Sequence, residues 1–284
     1  MNSDGTKLVT SVMTTTPLIY RSSDRGATWA TATRPDAGRD VRQPGYLTPD
    51  GTKLFISAYG SSTTSISRSA DFGSTWATTA MSTVAKFASS TDGSKFYAAE
   101  NYDIDAGGGS IYRSTNGGAT VTARTSTVNW SGIATSGDGA RVVAVSYDVL
   151  YPLLSTDSGV TWTNMTSAGQ RSWADIVMSA DGTKMAVISG GKLYLSTNSG
   201  ATWTEQTAVG PRSQIAMSSD GTKIMTTLYG NNQFVYVSKD GGTTWSQDTS
   251  LGAAYWKNPV ISGDGLRYGV IKYLSPNIIY TGAY

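Results

Sequence analysis

The chain holds no histidine and no cysteine, so any chemistry it performs must do without an imidazole or a thiol. The usual zinc centres, thiolate nucleophiles and Ser/His/Asp relays are excluded. What remains is carboxylate chemistry of the glycosidase kind, which needs two acidic groups about 5 to 10 Å apart across the scissile bond, or recognition of a ligand by aromatic faces. Of 20 acidic residues, nine stand outside the two short recurring patterns described below: Asp36, Asp40, Glu100, Asp103, Asp105, Asp148, Asp175, Glu205 and Asp248. Asp175, Asp148 and Glu100 are the candidates for acid–base work among them. Asp175 leads, because it follows Trp173 by two residues at the start of an expected strand. No partner for it can be named, so no catalytic residue is assigned. In NYDIDAGGGS, residues 101–110, Asp103 and Asp105 alternate ahead of glycines, as in part of a calcium loop. Ala106 and Tyr112 stand where such a loop wants Gly and a bidentate Glu. A solvated acidic hairpin tip is the expectation, with calcium at Asp103 and Asp105 as the alternative and no other cofactor.

The aromatic residues are spaced more tellingly. Asp-Gly pairs begin at Asp4, Asp50, Asp92, Asp138, Asp181, Asp220 and Asp264, at intervals of 39 to 46 residues. The eighth residue before each Asp, from the second pair onward, is Arg42, Val84, Trp130, Trp173, Arg212 and Trp256. Nine or ten residues after the Asp come Tyr59, Tyr102, Tyr147, Tyr229 and Tyr273. Aromatic rings flanked by Arg, Asn and Gln suit sugars, whose C–H groups pack on the π face while their hydroxyls bond to polar neighbours. The competing expectation is that these rings fill gaps between sheets.

A period in the forties with four short strands per unit is the pattern of a propeller blade. Residues 173–209 read WADIVMSA, a DG turn, KMAVIS, a GG turn, KLYLS, then TNSGATW and TEQTAV. Each piece has the length and apolar pattern of a half-buried antiparallel strand. An octet recurs between the third and fourth strands: SSDRGATW at Ser22, SADFGSTW at Ser69, STNGGATV at Ser114, STDSGVTW at Ser155, STNSGATW at Ser196 and SKDGGTTW at Ser238.

The octet resembles the Asp-box, or BNR repeat, of sialidases, xyloglucan-degrading hydrolases and related β-propellers. The resemblance spans nearly the whole chain and implies an all-β β-propeller of four-stranded antiparallel blades; the seven Asp-Gly units predict seven blades, with six blades as the alternative. Residues 1–284 are expected to form one propeller domain. The first repeat supplies strands two to four and the last supplies one to three. Asn replaces Asp at positions 116 and 198, and a catalytic carboxylate would not be exchanged so freely, so the octet is expected to be a structural turn. A sialidase would need an arginine triad, a Tyr/Glu nucleophile pair and an early Phe/Tyr-Arg-Ile-Pro segment, and that segment is absent.

In an up-and-down meander the DG turn and the octet share one face, so the loops that vary from blade to blade share the other, where Arg42, Trp130, Trp173, Arg212, Trp256 and the five tyrosines are expected. The expected function is non-catalytic, lectin-like binding of a glycan or similar ligand at that face. The alternatives are a glycoside hydrolase acting at the channel mouth and a protein-interaction scaffold. A net charge of +2 with no basic run argues against nucleic acid, and no apolar run is long enough to span a bilayer. A monomer is expected. Cysteine-free, Ser/Thr-rich β composition points to an extracellular setting, with any leader upstream of Met1, since MNSDGTK already lies inside a repeat.

Overall fold

The computed structural model describes residues 1–12, 18–33, 40–41, 45–59, 64–79, 84–100, 109–123, 128–210, 212–273 and 278–284. Short β-branched and aromatic runs between glycine turns form strands, and among the described residues the only helical segment is a single 3₁₀ turn at Thr166–Ala168. The chain is an all-β propeller, with seven antiparallel sheets as blades.

Blade 1 has three strands, Leu8–Val12, Leu18–Ser22 and Ala30–Thr31. In blade 2 the first strand comes in two pieces, Asp40–Val41 and Tyr46–Leu47, both paired with Leu54–Tyr59; Thr64–Ser69 and Ala77–Thr79 follow. Blades 3 to 6 each run through four strands in sequence order. Blade 3 is Val84–Ser89, Phe96–Glu100, Ile111–Ser114 and Thr122–Ala123, and blade 4 is Trp130–Thr135, Val142–Ser146, Leu153–Ser155 and Thr163–Asn164. Blade 5 is Trp173–Met178, Met185–Ser189, Lys192–Ser196 and Thr204–Glu205; blade 6 is Gln214–Met217, Ile224–Thr227, Val235–Ser238 and Ser246–Asp248. Blade 7 ends the chain with Trp256–Ile261, Arg267–Lys272 and Ile278–Ala283. Three-stranded blades therefore stand at both ends of the sequence, as the repeat spacing implied.

Two compact units divide the chain, Met1–Trp130 and Ser131–Tyr284. Blades 1 to 3 lie in the first. The rest of blade 4, with blades 5 to 7, lies in the second. In blades 3 to 6 the second strands are the most deeply buried, as elements packed on both faces must be: every residue of Phe96–Glu100, Val142–Ser146, Met185–Ser189 and Ile224–Thr227 is buried. In the first unit Phe55 stacks on Phe96 with ring centroids 4.0 Å apart. In the second, Ile188, Leu195, Ile215 and Ile224 form one apolar layer, and Met225, Val235, Trp256 and Val270 another.

Candidate functional site

Both recurring turns are built from one module, Ser-x-Asp. In the octet of blade 4, Asp157 Oδ1 accepts from the Thr161 amide at 2.9 Å, Oδ2 accepts from the Thr161 hydroxyl at 2.6 Å, and Ser155 Oγ accepts from the Gly159 amide at 2.8 Å. Hydrogen bonds from threonine hold the octet carboxyls low: Asp24 and Asp240 titrate at about 2, and Asp71 and Asp157 lie further below the usual range. In the DG turn of blade 5, Ser179 Oγ donates to Asp181 Oδ1 at 2.5 Å and accepts from the Lys184 amide at 3.0 Å. Sequence spacing alone did not reveal this shared module, although the serine two residues before most DG pairs carries it. These carboxylates are fully occupied in holding turns, so the octet is a scaffold element.

The candidate carboxylates are occupied as well. Asp175 is buried at 5% exposure. Its Oδ1 accepts from the Ile176 amide at 3.1 Å and its Oδ2 from the Ile215 amide of blade 6 at 3.3 Å, which makes it a clamp between first strands. Neighbouring blades use polar side chains likewise. Ser131 Oγ lies 2.6 Å from the Trp173 carbonyl and donates to it, and Gln214 and Asn258 exchange two hydrogen bonds between blades 6 and 7. Glu100 is buried, accepting from the Ser110 amide and the Tyr112 hydroxyl. Asp148 is exposed on the loop after Val142–Ser146. Among the described residues no group of three or more acidic side chains could hold a metal ion. Asp103 and Asp105 lie outside the described residues, as do Arg42, Tyr102 and the side chain of Tyr59.

The remaining aromatic candidates divide into two classes. Trp130, Trp173 and Trp256 are buried at 2, 1 and 0% exposure, and each indole N–H donates to a backbone carbonyl, of Gly109, Leu150 and Gly252 respectively. Arg212 takes the same place in blade 6 and is also buried, with its guanidinium 4.1 Å from the centre of the Tyr236 ring. Tyr147, Tyr229 and Tyr273 are about half exposed.

Two of these tyrosines belong to a continuous ladder. Tyr229 follows the second strand of blade 6, Tyr255 precedes the first strand of blade 7, and Tyr273 follows its second strand. Tyr229 stacks on Tyr255 with centroids 6.0 Å apart, and Tyr255 meets Tyr273 at 5.1 Å. The Lys257 ammonium sits 3.9 Å from the centre of the Tyr273 ring, and burial pulls its pKa below the usual lysine range. Exposed Asn231 and Asn232 lie on the loop just after Tyr229. Rings stepped across two blades, with side-chain amides and an ammonium beside them, can stack on flat apolar faces and bond hydroxyls. Tyr255 and Lys257 were not among the residues picked out by spacing. The alternation in Tyr255-Trp256-Lys257 is the signal that identifies them, since burying the Trp turns both neighbours to the other side.

Family models for the BNR/Asp-box repeat match residues 236–247 and, in a second form, 19–33. No curated protein matches the chain in sequence. Among solved structures, the GH74 enzyme of Niastella koreensis aligns with a TM-score of 0.71 at 16% identity, over 96% of this chain and 52% of that one. The GH74 xyloglucanase of Xanthomonas campestris aligns at 0.67 and 14%, over 84% and 43%. The chain thus spans about half the length of these enzymes or less. YCF48 bound to a D1 peptide aligns at 0.67 and 15%, over 98% of this chain and 94% of that one. At such identities the likeness is one of fold.

Proposed function

We propose that this Asp-box β-propeller is a binding protein for glycans, taking the ligand on the tyrosine ladder of blades 6 and 7 without cleaving it. The observation that supports this most is the Tyr229–Tyr255–Tyr273 ladder itself: exposed Tyr229 and Tyr273 on either side of half-buried Tyr255, with Lys257 over the Tyr273 ring and exposed Asn231 and Asn232 on the loop after Tyr229. Stacked or tilted rings offer successive sugar units a set of π faces, and the amides satisfy hydroxyls that would otherwise lose water. One structure of similar fold is a GH74 xyloglucanase, which is compatible with this reading. Against cleavage by the named candidates stands the engagement of Asp175 and Glu100 with backbone amides.

A second reading, capture of a peptide, draws on the exposed Tyr147, Val149 and Leu150 at the corresponding end of blade 4 and on the peptide-bound YCF48 relative. The deciding experiment is a glycan array, including plant-wall and sialylated oligosaccharides, probed with the intact chain and with a Tyr229→Ala/Tyr273→Ala variant. Binding lost in the variant, with the glycans recovered intact, supports the glycan reading. Shortened glycans would replace it with hydrolysis, and an empty array would move the weight to the peptide reading.

A further inference from the structure

Arg212 breaks the repeat. In blades 4, 5 and 7 the corresponding residue is a buried tryptophan whose single N–H is met by a carbonyl. In blade 6 a guanidinium with five N–H donors occupies that place at 4% exposure. Its Nε is buried without a hydrogen-bond partner, and among the described residues it forms no salt bridge. The acids nearby in sequence and fold are engaged elsewhere: Glu205 with Lys192 at 3.0 Å, and Asp175 with two amides. The Tyr236 ring face offsets part of the cost of burying the cation. It does not replace an anion, because a buried charge left unpaired is strongly destabilising. Burial accordingly pulls the Arg212 pKa below its ordinary value, with Tyr236 opposing.

Among the described residues other than its chain neighbours, a Cβ placed on Gly210 would approach only Arg212 Nη2, at 4.0 Å. We infer that Arg212 anchors an oxyanion site between blades 5 and 6, taking a carboxylate or similar planar group whose two oxygens match the guanidinium fork. Fork-to-carboxylate pairing is the strongest interaction open to this side chain. Arg212 is not a residue of the tyrosine ladder, and the inference stands whether or not the ladder binds glycans.

The test uses the intact chain and acetate as the probe, titrated against chloride at constant ionic strength. A ligand that binds only the folded state raises its melting temperature. The expected result is a saturable rise of several degrees in the wild type and in Tyr229→Ala/Tyr273→Ala, with no rise in Arg212→Met or Arg212→Trp. The tryptophan variant restores the residue of the other blades and keeps the comparison available if the methionine variant fails to fold. Independently of any variant, the Arg212 Nε–H resonance should move saturably with acetate. If acetate has no effect but an acidic oligosaccharide such as oligogalacturonate moves that resonance, the anion is a group on a larger ligand. If neither moves it, or if Arg212→Met responds as the wild type does, the site does not exist.

Discussion

At the scale of single residues, the octet's Asp and Asn versions differ by the direction of one hydrogen bond. In blade 4 the threonine hydroxyl donates to Asp157, whereas in blade 5 it accepts from the Asn198 amide at 2.9 Å. The turn survives either way, but only the carboxylate version responds to acid. Asp24, Asp71, Asp157 and Asp240 have folded-state pKa values below the unfolded value near 4. Their contribution is therefore fully present above about pH 4 and is lost as the pH falls through about 2. Converting all four to Asn should flatten the acid limb of the melting-temperature profile between pH 4 and 2 and leave the neutral value little changed. An unchanged acid limb would show that these turns do not govern acid stability. Asp175 belongs to the same scale with a different outcome. Asp175→Ala strips two buried amides of their acceptor, and urea unfolding should show a loss of about 2–4 kcal/mol. Its role was not legible in the sequence, because nothing in the string Trp173-Ala-Asp175 says that the carboxylate turns to the amide of another blade.

At the scale of elements, neighbouring blades within a unit are joined at their turns. The octet glycine is needed for more than its backbone angle. Gly242 has φ +94°, and a Cβ there would lie 2.0 Å from Leu195 Cδ1 of the preceding blade. Gly242→Ala thus combines a strained backbone with an overlap in the apolar layer, and should cost at least about 1–3 kcal/mol in denaturant unfolding. The DG turns are also linked directly. The Gly137 amide donates to the Ala180 carbonyl, Ala180 to Ser219 and Ser219 to Gly263, each at 2.7 to 2.9 Å. In blade 1 Ser3 donates to Pro49 in the same way at 2.8 Å, and Pro49 has no N–H to pass the series on. Since the blade 2 turn accepts proline at this position, Ala180→Pro should remove one hydrogen bond without disturbing its own turn, a loss of about 1 kcal/mol by urea titration. Strand order and both turns were readable from the repeat because each depends on local residue types. The links between blades were not, since a backbone amide carries no sequence signature.

For the whole molecule, seven blades share one plan and differ chiefly in their loops, so the repeat predicts a recognition element in every blade. The structure distributes them unequally. Trp130, Trp173 and Trp256 are buried, whereas Tyr229, Tyr255 and Tyr273 meet in one place. Spacing located the three tryptophans, Tyr229 and Tyr273 but not Tyr255, and could not separate buried from exposed, because burial at these positions is decided by which side of a strand a ring takes. Calorimetric titration with a ligand of the ladder should accordingly give one site per chain, and Tyr147→Ala should leave that affinity unchanged. Several equivalent sites would restore the expectation of one per blade. The series of turn-to-turn hydrogen bonds carries a last implication. From blade 4 to blade 7 it has a direction, each turn giving its N–H to the turn that follows. A duplicated blade inserted into the series would meet a waiting acceptor on one side and a waiting donor on the other, with no compensating change in either neighbour. Growth by duplication is thus built into one end of the sheets, while the loops at the opposite end are left open to rewriting for new ligands.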